Sequence, residues 1–242
     1  MTQTEIDWPA RIATMQYAIC NAGIRPWPYP HIVLPPGAIS LASEMSANMP
    51  PNDAYVLLSD LGRVRAGLYA SRRVITPEMA GKGEWEGAQF WRDCFAAFGS
   101  PDLAEMLLTM FAGIIAARIT PGQNDIEADM LLVRDGNGYK IGPHTDSPKR
   151  LMSCLFYIGN DEIEAAECWG TSIYTPKDRT FRCAGGPHYP FDQFHRVATA
   201  PFVQGGGVIF AKTDNSFHGV EPIAVRPGAY RDVLLLDYRV KA

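Results

Sequence analysis

The stretch MLLVRDGNGYKIGPHTDSPKRLMSCLFYI, residues 130–158, decides the fold. Its apolar residues come in short runs cut by Gly, Asn, Asp and Pro, the texture of antiparallel strands rather than of helix. Segments 130–134 and 139–141 flank Asp135-Gly136-Asn137-Gly138, and Asn-Gly between such runs predicts a hairpin. Segment 151–158 predicts the next strand, followed by 171–174, 208–211, 217–220 and 232–238. Strands at this spacing predict a barrel or sandwich.

Upstream the periodicity changes. Between residues 1 and 120 the spacing is mostly helical, as in Ala88, Trp91, Phe95 and Phe98, which end at Gly99. Ser100-Pro101-Asp102 predicts the next helix start, with a capping hydroxyl, a proline in the first turn and an acid beside the helix dipole. Residues 106–117 read as a buried helix, too short for a bilayer, which needs about 20 residues. Residues 28–34, rich in proline and β-branched side chains, predict a short edge strand. The expectation is one domain over 1–242, with 1–120 as mainly helical support and 125–242 as the β core. Residues 175–202 read as irregular, either a lid over a site or a packed insertion with a small core of its own.

Composition narrows the function classes. The 242 residues are 47% hydrophobic and 20% charged, with a formal net charge of −4 and no Lys/Arg block. Electrostatic capture of nucleic acid or an anionic membrane is therefore not expected, which leaves small-molecule or protein partners. Cys20, Cys94, Cys154, Cys168 and Cys183 are odd in number and scattered, which predicts reduced thiols and a cytoplasmic setting. No targeting segment is read at the N-terminus, and the sequence is silent on oligomeric state.

The chemistry concentrates in His144-Thr145-Asp146, His218 and Arg231. In extended chain, residues i and i+2 share a face, so His144 and Asp146 can reach one metal ion. His218, at the start of a late strand, can supply a third donor. Two imidazoles and a carboxylate leave the opposite metal positions open, as non-heme Fe(II) oxygenases require. Arg231 enters the apolar strand 232–238, where a guanidinium needs an anion: a ligand carboxylate, or a structural partner such as Asp232 or Glu221.

These residues resemble the Fe(II)/2-oxoglutarate-dependent oxygenases, particularly their prolyl-4-hydroxylase-like branch. The matching stretches are 138–146, 155–158, Ser216 through Val220, and Arg231 with its strand. The resemblance implies a double-stranded β-helix (jelly-roll, cupin-like) core buttressed by N-terminal helices. It also implies iron held by His144, Asp146 and His218, and 2-oxoglutarate held at its distal carboxylate by Arg231. Tyr157 matches a tyrosine that contacts the same carboxylate, or is a core aromatic. Arg226 is the lesser candidate for that clamp. Dioxygen and 2-oxoglutarate would be consumed, with ascorbate supportive, and succinate and CO2 released as a substrate is hydroxylated. Residues 170–178 depart from the glycine pattern of peptidyl-prolyl members, which speaks against a protein-prolyl substrate; the resemblance there to bacterial members implies a small or sugar-containing metabolite as the substrate. The competing readings are a cupin-like metalloenzyme that does not use 2-oxoglutarate and a non-catalytic binding protein. Arg134, Lys149, Arg150, Trp169 and Tyr174 are candidates for the pocket mouth. His188 and His195 are expected to make loop or substrate contacts, His31 to be structural, and Gly205-Gly206-Gly207 to form a turn into Val208.

Overall fold

The computed structural model describes residues 6–119, 125–159, 169–226 and 228–241. Its helices are α1 (Trp8–Ala22), α2 (Ala42–Ala47), α3 (Pro77–Lys82), α4 (Ala88–Phe98), α5 (Pro101–Met110) and α6 (Ala112–Ala116). Its strands are β1 (His31–Leu34), β2 (Val56–Leu57), β3 (Arg72–Ile75), β4 (Ile126–Asp135), β5 (Ile141–His144) and β6 (Arg150–Gly159), followed by β7 (Thr171–Pro176), β8 (Phe194–Ala200), β9 (Gly207–Ala211), β10 (His218–Val220) and β11 (Arg231–Val240).

Two antiparallel sheets result, a larger one in the order β1-β9-β6-β11-β4-β3-β2 and a smaller one in the order β5-β10-β7-β8. From β4 onward every connection except β7 to β8 crosses between the sheets. That path is a double-stranded β-helix, the jelly-roll arrangement.

The period of two in the strands explains why both faces of the larger sheet are buried. Met152, Cys154, Phe156, Leu234, Leu236 and Tyr238 face the helices and share one apolar cluster with Trp91, Phe95 and Phe98 of α4. Phe98 meets Phe156 with ring centroids 5.3 Å apart, tying α4 to β6. The alternate residues Tyr157, Val208, Phe210 and Val233 turn inward and pack with Ile173 and Val220 of the smaller sheet. The helices therefore cover one face, and the space between the sheets is left for a site.

Several expectations need correction. The Asn137-Gly138 turn does not close a hairpin, because β4 and β5 belong to different sheets. Gly138 takes the left-handed φ of 77° that the signal predicts, but the chain leaves the turn toward β10 rather than back along β4. Residues 194–200, read as irregular, form β8 at the edge of the smaller sheet. Residues 106–117 are not one helix: the chain breaks at Phe111 between α5 and α6. The Ser100 hydroxyl makes no capping bond at α5. The helical first half also hides β2 and β3, which extend the larger sheet beside β4. The edge strand before Pro35 is present as β1, and Gly205 has a φ of 70° in the turn into β9.

One glycine beside the later site has no room for a side chain. A Cβ at Gly219 of β10 would lie 2.6 Å from the Ile141 carbonyl oxygen of β5. Gly219→Ala is expected to cost about 1–3 kcal/mol through overpacking, read as a lower urea midpoint at unchanged m-value.

Candidate metal centre and cavity

Strands β5 and β10 pair antiparallel with His144 opposite His218, which sets the two imidazoles side by side with ring centroids 4.3 Å apart. Asp146 lies just beyond the end of β5 and keeps the alternation, so its carboxylate returns to the same face. Thr145 points away and donates its hydroxyl to the Cys183 carbonyl at 2.8 Å, which pins the segment. His144, Asp146 and His218 are all buried, with one donor atom from each lying within 4.8 Å of the others.

The hydrogen bonds prepare those donors for a cation. His144 Nδ1 lies 2.9 Å from the Gly142 carbonyl, and His218 Nδ1 lies 3.0 Å from the Ser216 carbonyl. A carbonyl only accepts, so in each ring Nδ1 carries the proton and Nε2 keeps its lone pair. Both bare Nε2 atoms face Asp146 Oδ1, at 3.9 Å and 3.8 Å. Burial and the neighbouring His218 press the His144 pKa down to about 3, and burial also lowers that of His218. Both rings are thus in the neutral form that binds metal. Burial alone would raise the Asp146 carboxyl, but Arg150 foremost holds it well below the usual carboxylate range, with Ser153 adding a hydrogen bond.

Arg150 and Ser153 also fix how Asp146 presents itself. Arg150 Nη1 donates to Oδ1 at 2.7 Å and Ser153 Oγ donates to Oδ2 at 2.8 Å. With Oδ2 engaged, Oδ1 is the oxygen left to coordinate, through its remaining lone pair, so the carboxylate would act as a monodentate ligand. Ser153→Ala is expected to loosen that orientation and weaken zinc binding about tenfold, measured by competition with a chromophoric chelator.

The three donors open into a cavity of about 340 Å³. Its waist is apolar, formed by Leu131, Ile141, Leu155, Val220 and Leu235. At one end stand Arg72, Thr171 and Arg231. Arg231 is fully buried; its Nε donates to the Trp169 carbonyl, Nη1 to Asp135 Oδ2 at 2.9 Å and Nη2 to Thr171 Oγ1 at 3.3 Å. Arg72 grips the same Asp135 carboxylate through two bonds of 2.6 and 2.8 Å. The structural partner of Arg231 is therefore Asp135, not Asp232 or Glu221. Tyr157 lies next to Arg231, whose guanidinium carbon is 5.6 Å from the ring centroid. The Tyr157 hydroxyl accepts from Thr171 N at 3.1 Å and donates to the Ala200 carbonyl at 3.5 Å, and Tyr157 is not on the cavity wall.

Beside the triad sits His188, its ring centroid 4.6 Å from that of His144. Its ring is 2.9 Å from the Tyr69 hydroxyl, and Tyr69 holds a φ of 57° in the loop before β3. The chain between β7 and β8 reaches the cavity, and with the start of β8 it also packs into a cluster of its own. His188 and Gly186 line the cavity, while Phe181, Tyr189 and Phe194 build a small cluster with Phe217.

Of the residues named for the pocket mouth, Arg150 lines the cavity; Arg134 pairs with Asp232, and Trp169 and Tyr174 are packed in the interior. His31 is buried against the Tyr29 carbonyl, and His195 is exposed away from the triad.

No family model matches the sequence, and no curated protein matches it either. The fold is similar to solved structures at low identity. A prolyl hydroxylase from Trichoplax adhaerens, bound to a hypoxia-inducible factor peptide, aligns at TM-score 0.49 and 12% identity over 98% of this chain and 94% of that one. A Pseudomonas putida prolyl-4-hydroxylase aligns at 0.46 and 17% over 96% and 100%. The alpha-ketoglutarate-dependent epimerase SnoN of nogalamycin biosynthesis aligns at 0.48 and 13% over 95% and 83%.

Reasoning from sequence missed Arg72, Ser153 and Asp237. Asp237 could have been found, because it stands six residues after Arg231 on the same face of one strand. Ser153 likewise shares a face with Leu155 and Tyr157. Arg72 carried no signal, since its surroundings read as helical.

Proposed function

We propose that the protein is an Fe(II)- and 2-oxoglutarate-dependent oxygenase acting on a small molecule, with iron held by His144, Asp146 and His218. The observation that carries this reading is the pair of bare Nε2 atoms aimed at one carboxylate oxygen, an arrangement of two histidines and an acid on one side of a point in space. Iron, when bound there, would supply open positions for an oxoacid and dioxygen and the redox chemistry that links them.

Charge around the cavity supports a dicarboxylate as cosubstrate. Asp146 and Asp237 share Arg150, and burial raises the Asp237 pKa to about 7, so the three groups carry at most one net negative charge; a divalent cation makes this end net positive. At the far end Arg72 and Arg231 share Asp135, which again leaves one net positive charge. Two positive poles joined by an apolar waist suit a short dianion with a methylene spacer, as 2-oxoglutarate is. In this reading Arg231 receives the distal carboxylate, with Arg72 and Tyr157 beside it. The apolar waist excludes water from the chain between the poles. His188 and Tyr69 cover the cavity beside His144.

Purified protein supplied with Fe(II), ascorbate and 2-oxoglutarate should form succinate slowly even without its substrate. Succinate no faster than in an enzyme-free control, from protein that binds Fe(II), would overturn the oxoacid assignment.

A further inference from the structure

The metal donors, the waist and the Arg72/Arg231 pole account for most of the cavity, but not for the end where Asp129, Arg150 and Asp237 stand. Every arginine on the cavity wall is already paired there or elsewhere. Arg150 places one terminal nitrogen on Asp146 and the other on Asp237 Oδ2, at 2.7 and 2.8 Å. Arg63 holds Asp129 through two bonds of 2.8 and 3.0 Å, and Arg239 approaches the same carboxylate at 3.4 Å. Arginines and aspartates balance at this end, so apart from the metal no net positive charge among the described residues is offered to an anionic ligand.

One acceptor is left. Asp237 is 2% exposed, and its Oδ1 has no hydrogen-bond partner among the described residues. Ser153, its register partner on β6, gives its single proton to Asp146. A buried acceptor without a donor costs about 1–3 kcal/mol, more when charged, and the ion pair that accounts for the acid, with Arg150, engages only Oδ2. Burial raises the Asp237 pKa to about 7, so a donor brought to Oδ1 by a ligand would both satisfy that oxygen and favour the ionised acid.

We propose that Asp237 Oδ1 accepts a hydrogen bond from the oxidised substrate, so that the substrate is a small molecule bearing hydroxyl or amino donors rather than an anion or a plain hydrocarbon. This deepens the oxygenase reading and rests on it. The strand geometry places the contact at the metal end: Asp237 is six residues from Arg231, about 20 Å along β11, and is linked through Arg150 to Asp146. The substrate would therefore lie beyond the metal donors, away from the Arg231 pole that takes the distal carboxylate of the cosubstrate.

Four ring compounds of similar size test this: myo-inositol, cyclohexylammonium, cyclohexanone and cyclohexanecarboxylate. Their binding to the full protein loaded with zinc and 2-oxoglutarate is read by saturation-transfer NMR titration. Inositol, cyclohexylammonium or both should bind at least about tenfold more tightly than the ketone and the carboxylate, and Asp237→Leu should erase that difference. Asp237→Asn, which keeps a carbonyl acceptor and the shape, should preserve any preference for inositol and lose that for the ammonium ion, which separates hydroxyl from amino recognition. Ketone or carboxylate binding as tight as the donors, discrimination surviving in both variants, or no binding by any of the four would overturn the proposal. The same titrations with zinc alone keep the two readings apart. Absent 2-oxoglutarate binding would count against the oxygenase assignment, while donor preference is still measured.

Discussion

His144→Ala is expected to reduce Fe(II)-dependent succinate formation by about a thousandfold or more, because two remaining donors cannot hold the ion with its open side fixed. A thousandfold corresponds to about 4 kcal/mol. The substitution removes a buried ring packed at a tilt against His218 and His188, so some loss of stability will accompany it. Zinc titration of the folded variant separates the two effects: affinity should fall steeply at temperatures where circular dichroism still reports native β structure. A variant that binds zinc as wild type does would remove His144 from the ligand set. Asp146→Ala should behave alike in activity, but it also leaves the Arg150 guanidinium short of one partner.

The second large effect is expected at Arg231. Arg231→Ala leaves Asp135, fully buried, with Arg72 as its remaining cationic partner, and leaves the Trp169 carbonyl without its donor. Removing one side of a buried ion pair typically costs about 3–5 kcal/mol, so this variant should unfold at markedly lower denaturant. Arg231→Lys keeps a charge but not the three-way fork. It should fold, lose less stability, and still raise the KM for 2-oxoglutarate about tenfold or more, with a smaller change in kcat. An unchanged KM in that variant would confine Arg231 to a structural role with Asp135.

These two sites differ in how far they could be read beforehand. His144 and Asp146 announce themselves by a spacing of two in an extended segment, and His218 by standing alone at the head of a strand. The antiparallel character of residues 126–240 was equally legible, since Gly, Asn and Pro cut the apolar runs to strand length. The pairing was not. Asn137-Gly138 specifies a backbone conformation but not which sheet the chain joins afterwards; that is settled by burial against β10. The Asp135 clamp was hidden for a related reason. Its second arginine, Arg72, comes from a four-residue strand within an otherwise helical half, and short strands take their form from the sheet edge they dock on. Residues 194–200 escaped notice because an edge strand with polar side chains lacks the apolar alternation that marks a covered one.

The position of β11 bears on how the chain can come to be folded at all. It is the latest strand in sequence order among the described residues, yet it lies in the middle of the larger sheet, bonded to β4 on one side and β6 on the other. During synthesis β4 and β6 must wait, each with an unpaired edge along most of its length, until residues 231–240 have left the ribosome. A nascent chain halted short of Arg231 should therefore be sticky and protease-sensitive rather than partly native, and trimming from this end should abolish folding far more sharply than trimming the same number of residues before α1.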